Sequence, residues 1–69
     1  MTEKQREAFR RNVKILMIDK GVTQRQLADA AGCDETFISK ILSGAKKPTF
    51  DAVVDMADRL GAKIDELIK

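Results

Sequence analysis

The chain has 69 residues, with 13 Lys or Arg, 11 Asp or Glu and a formal net charge of +2. That length makes one domain, residues 1–69, which buries only about 60% of its unfolded surface, so its core has to be efficient. One cysteine and no histidine exclude an internal disulfide and a zinc constellation, and no apolar run approaches the ~20 residues that span a bilayer.

A first helix is predicted from near Thr2, with Glu3 in its first turn. Phe9, Val13, Leu16 and Met17 fall at i, i+4, i+7 and i+8 and share one face. Lys4, Arg6, Arg10, Arg11 and Lys14 lie largely off it. Ile15 and Ile18 fit that stripe poorly. Two readings stand for them: partial burial at its edge, or an apolar contact for a partner. Gly21 ends the helix.

Thr23 to Gly44 read TQRQLADAAGCDETFISKILSG, two short amphipathic helices around a turn. Thr23 is a good N-cap because its hydroxyl can accept from a free first-turn amide. Leu27, Ala28 and Ala31 recur at helical spacing, and Ala28 is small where two helices must cross closely. Gly32 suits a left-handed stop. Asp34 caps the next helix, Ile38, Ile41 and Leu42 form its inner stripe, and Gly44 closes it. This is the helix-turn-helix layout, whose second helix enters the DNA major groove.

Beyond Gly44, Lys46 and Lys47 sit in a loop before Pro48. Thr49 caps a fourth helix, with Phe50, Val53, Val54, Ala57 and Leu60 as its buried face and Met56 at the flank. Asp51 in its first turn and Arg59 in its last both suit the helix dipole. Gly61 ends it. A short fifth helix carries Ile64, Leu67 and Ile68. No strand pattern or repeat appears. The fold class is all-α: five helices around one core.

Charge is unevenly spread. Residues 1–25 carry seven basic and three acidic side chains, residues 26–45 one and three, and residues 46–69 five of each. The acidic bias falls on the reading segment, which counts against a purely electrostatic account of DNA binding. No catalytic constellation is present, so an enzyme is not expected, nor are a cofactor or a metal. The mixed-charge start MTEKQREAF is not a signal peptide, and a reducing, cytoplasmic compartment is the default expectation. Cys33 reads as a small turn residue; redox sensing would need a base to activate it.

The pieces GVTQRQLA at 21–28, AGCDETFISKILSG at 31–44, KKPT at 46–49 and RLGAKIDELI at 59–68 resemble the lambdoid phage repressor and Cro-type (XRE-like) regulators. With the first helix they cover nearly the whole chain. Each piece is weak alone, and their order and spacing carry the likeness. The resemblance implies a compact five-helix repressor-like domain that binds an operator as a dimer.

Carried over by position, the resemblance makes Glu35, Thr36, Ser39 and Lys40 base-reading residues. Gln24 matches a phosphate contact that braces the reading helix. Ser43, Lys46 and Lys47 match a phosphate-binding loop, with Arg25 and Arg10 as weaker candidates. Phe37 matches a position that touches backbone or a thymine methyl. Each has a plainer reading. Gln24, Lys40, Lys46 and Lys47 could be solvated, Glu35 could serve only its helix N-terminus, and Phe37 could tuck against the second helix. The dimer surface implied by the family is the Gly61–Ile64 loop, with Ala62, Ile64, Leu67 and Ile68.

Two departures stand out. Relatives often pair an arginine late in the first helix with a glutamate near the end of the third; here Met17 and Leu42 hold those places, an apolar substitute for a buried ion pair. Glu35 can accept from a cytosine amino group but repels phosphates. The expected partners are double-stranded DNA and a second copy of the chain, with no membrane and no small-molecule ligand. The alternative is an antitoxin-like or other protein-interaction module that docks through the acidic segment 29–35. The chain could be a complete small regulator or the DNA-binding part of a longer one.

Overall fold

Helix starts are written into the chain as capping side chains. In the computed structural model, which describes residues 1–69, the Thr2 hydroxyl accepts from the Gln5 amide at 3.1 Å while the Gln5 side chain accepts from the Thr2 amide at 2.8 Å. Thr23 and Gln26 repeat this reciprocal pair at 3.1 and 2.9 Å. Asp34 accepts from Phe37 N at 2.8 Å, and Thr49 from Ala52 N at 3.1 Å. Each satisfies amides that the first turn leaves free. The resulting elements are α1 (Glu3–Lys20), α2 (Gln24–Ala31), α3 (Glu35–Ser43), α4 (Phe50–Arg59) and α5 (Ile64–Leu67), with no strand.

The α2–α3 turn depends on Gly32. Its φ of +65° is left-handed, where a side chain would be strained, and it lets Cys33 N reach Ala28 O at 3.0 Å. α2 is the central helix and packs against both α3 and α4, while α1 packs on α3 and α5, and α5 closes against α1 and α4. Ala28, Ala52 and Ala57 are buried at these crossings, where small side chains let helices approach closely. Phe9, Val13, Leu27, Ile38, Ile41, Met56, Leu60 and Leu67 fill the centre. Truncating any large one of these to Ala costs about 2–5 kcal/mol, comparable to the whole stability of a chain this size, on the order of 5 kcal/mol.

The inner stripes of α2 and α3 lie as the spacing predicts, with Ala31 half-buried. Along α1, Phe9 and Val13 are buried, and Leu16 and Met17 pack half-buried against the core. Three expectations are corrected. The buried face of α4 is Ala52, Val53, Met56, Ala57 and Leu60, so Met56 is core, not flank. Phe50 is 77% exposed and Val54 is exposed. The stripe is turned from the expected one by less than a residue step of about 100°. The small Ala52 and the unbranched, adaptable Met56 go into the core, and the bulky Phe50 ring is left outside. Ile18 is 81% exposed, so the reading of partial burial fails there, although Ile15 sits half out of water.

Met17 and Leu42 line one groove beside Ile18 and Val22. No charged or polar residue is buried in the chain, so the ion-pair position of the relatives is apolar here. The ion pairs present are Arg6–Glu3 at 2.6 Å and Arg10–Glu3 at 3.7 Å, at the surface end of α1. The Arg6 hydrogen bond and charge hold the Glu3 carboxyl below its ordinary range. Beside an Arg11 bond to Lys69 O at 3.1 Å, Asn12 closes the fold at long range: its Nδ2 donates to Leu67 O at 2.8 Å and reaches Glu66 O at 3.3 Å. It satisfies carbonyls at the end of α5 that have no intrahelical partner.

Candidate nucleic-acid interface

α3 is anchored from below. Ile38, Ile41 and Leu42 are buried, which leaves Glu35, Thr36, Ser39 and Lys40 exposed on the opposite side. At helical spacing Thr36, Ser39, Lys40 and Ser43 form one continuous outward face. Glu35 lies at its start, where its charge also suits the α3 N-terminus.

The loop after α3 is tied back to the helix. Ser43 Oγ donates to Lys40 O at 3.1 Å and accepts from Ala45 N at 3.4 Å, and Lys46 N donates to Lys40 O at 3.2 Å. Ser43 therefore caps the helix end as well as facing outward. Lys46 and Lys47 are exposed. The Lys46 ammonium stands 5.6 Å from the Phe37 ring centroid, within cation–π range. Phe37 itself is half-buried against the core, which favours the tucked reading of that residue. Asp34, Thr36, Phe37, Lys40 and Lys46 surround one small polar hollow, so base-reading and loop candidates meet there. The Asp34 carboxylate in that hollow is already engaged by the Phe37 amide.

On the other flank Gln24 opens α2 and is half-buried, while Arg25 is exposed. Gln24 and Thr23 share the groove of Met17, Ile18, Val22 and Leu42 with Lys14, the groove's only charged side chain. Lys14 was not singled out in the sequence. Its signal is the i, i+4 step from Arg10, which puts both cations on one side of α1. Arg10 is held by Glu3, and its guanidinium packs over Gly44: a Cβ there would lie 3.5 Å from its Cζ.

Of the dimer candidates, Ala62, Ile64 and Ile68 are half-buried and reach the surface. Leu67 is fully buried and corrects the expectation, since its side chain is spent on the protomer's own core and offers nothing to a partner. Burial pushes the Cys33 thiol pKa up, and the neighbouring Asp34 charge adds to it, so this cysteine is no activated nucleophile. No group of His, Cys, Asp and Glu side chains is arranged to hold a metal ion, and no helix is long and apolar enough to cross a membrane.

Two short helices around a glycine turn, the second anchored inward and free outward, define a helix-turn-helix DNA-binding domain. The chain belongs to the family of helix-turn-helix domains, whose model matches residues 8–68. The fold is similar to the crystal structure of a hypothetical transcription factor, NHTF, from Neisseria. That likeness has a TM-score of 0.84 at 24% identity, over 96% of this chain and 74% of that one. At such identity it shows the fold. No curated protein matches the chain.

Proposed function

We propose that the chain is a sequence-specific regulator of transcription, a repressor that lays α3 in the major groove of double-stranded DNA. The observation that carries this reading is the division of α3 between a wholly buried apolar stripe and an outward row of Thr36, Ser39 and Lys40. Those side chains and Glu35 read base edges: Lys40 suits guanine O6 and N7, Thr36 a base edge or a thymine methyl, Glu35 a cytosine amino group. Gln24, Arg25, Ser43, Lys46 and Lys47 hold phosphates on either side and set the register. Phe37 supports the Lys46 cation from beneath.

The protomer measures 26 × 23 × 18 Å. Half-sites one helical turn apart lie about 34 Å from centre to centre, beyond one protomer's reach. A homodimer on a two-fold symmetric operator resolves this, with Ala62, Ile64 and Ile68 at the contact. Such a regulator works in the cytoplasm, on the nucleoid. The protein-docking alternative rests on Asp29, Asp34 and Glu35, and the capping role of Asp34 weakens it.

Selection from a random double-stranded library tests the reading. Enrichment of a two-fold symmetric site with half-sites about 10 bp apart supports it. Recovery of no preferred sequence rejects it.

A further inference from the structure

The large apolar side chains that the fold leaves exposed are Met1, Ile15, Ile18, Phe50 and Val54. Apart from Met1 they fall on two helices of opposite charge. α1 carries six basic side chains against three acidic ones, and α4 carries three aspartates against one arginine. On α4, Phe50 and Val54 are i, i+4 neighbours, and Asp51 and Asp58 share their outward face at helical spacing, with Asp55 at its edge. On the α1 side, Met17, Ile18, Val22 and Leu42 floor an open groove of about 540 Å³ with Lys14 on its rim and no acidic side chain.

We propose that a second copy of this chain docks head to tail, with the outward face of α4 entering the α1 groove. Phe50 and Val54 are the anchors, in the manner of an amphipathic helix lying in a groove. Asp51 and Asp58 bring negative charge to Lys14 on the groove's rim, so the contact weakens with salt. Face and groove are different surfaces, which makes the contact heterologous and able to repeat from copy to copy. Two anchors make it weak, so it forms at high protein concentration. Thr23 and Gln24 also line the groove, and a seated α4 covers the flank of Gln24. If Gln24 holds a phosphate as proposed above, self-association and DNA exclude one another there; the association itself does not depend on that reading.

Two variants test it by NMR. Ile18→Glu spoils the groove and leaves the α4 face, while Phe50→Asp spoils the face and leaves the groove. Both positions are exposed, and thermal melts confirm that each variant folds. Labelled Ile18→Glu is titrated with unlabelled Phe50→Asp, then with itself, and the labels are then exchanged. The expected result is shifts at Asp51, Val54 and Asp58 of the first variant and at Met17, Val22 and Leu42 of the second, in the mixed samples only, fading with added salt. A two-fold contact through α5 would move Ala62 and Ile64 of labelled Ile18→Glu on titration with itself, with no Phe50→Asp present, and is separated by that signature; Phe50 borders the same hollow as Ile64, so the Phe50→Asp samples do not serve for this comparison. Shifts on α4 in Ile18→Glu alone would mean that the face pairs with itself and would overturn the proposal, as would mixed samples with no shifts on α4 or around the groove.

Discussion

The Lys46 ammonium lies 5.6 Å from the centroid of the Phe37 ring. Phe37 is held by the core on one side, so the ring is a fixed surface under the cation. A cation parked there keeps its position at the mouth of the α3 loop, where Lys46 N is already bonded to Lys40 O. Lys46→Ala is expected to weaken binding to all DNA sequences and to flatten the salt dependence by about one unit of slope. Phe37→Leu, which keeps bulk in the core, should lower affinity when Lys46 is present and have much less effect when it is absent. A double-mutant cycle on DNA binding should give a coupling of about 0.5–1 kcal/mol. An additive cycle would show that Phe37 does not act through Lys46.

Much of this fold was legible because its signals are local. The caps at Thr2, Thr23, Asp34 and Thr49 and the stops at Gly21, Gly32, Gly44 and Gly61 are single residues whose chemistry dictates a helix end. The T-x-x-Q pairs that complete the first two caps, Thr2 with Gln5 and Thr23 with Gln26, were equally available. The α4 stripe was harder. Phe50, Val53 and Ala57 fit one periodic face and Ala52, Val53 and Met56 another, and the choice is made by packing against the rest of the fold, which no local pattern contains. Leu67 shows the same limit: family position points it outward, and packing against α1 and α4 turns it in. Lys14 and Asn12 gave little signal because each acts across the fold, Lys14 beside Gln24 and Asn12 on the carbonyls of α5.

The Asn12 tie can be removed alone. Its amide donates to Leu67 O at 2.8 Å from the middle of α1, and α5 has only four residues to hold itself in place. Asn12→Ala should cost about 1 kcal/mol, read as a drop of about 4–8 °C in melting temperature for a domain this small. Asn12→Asp should cost more, since it sets a carboxylate against the same carbonyls. Hydrogen exchange should speed up at Leu67 and Ile68 and stay unchanged in α2. Equal loosening of both helices would mean that Asn12 supports the whole core and not the α5 junction.

Met17 and Leu42 border the same groove with no charge between them. Met17→Arg alone would set an unpaired cation on an apolar wall and should destabilise the fold by about 1–3 kcal/mol. Adding Leu42→Glu should return part of that loss, because the carboxylate gives the cation a partner. The swap should not exceed the wild-type stability, since an ion pair has to repay its own desolvation. Thermal melts of the two single variants and the double variant measure this directly. A double variant no more stable than Met17→Arg would mean that the two side chains do not meet.

Lys40 decides whether α3 reads bases or only rests in the groove. It stands one turn beyond Thr36 on the exposed face, and its carbonyl is fixed by bonds from Ser43 Oγ at 3.1 Å and Lys46 N at 3.2 Å. The backbone is thus held while the ammonium is free to reach guanine O6 and N7. Lys40→Ala should lose discrimination at one or two base positions, by about 1–3 kcal/mol each. Binding to random DNA should fall much less. The measurement is a set of competition assays with single-base substitutions in the selected operator, run at fixed salt because both terms depend on it. An equal loss on operator and random DNA would move Lys40 to the phosphate-binding group and leave Thr36, Ser39 and Glu35 to carry sequence preference.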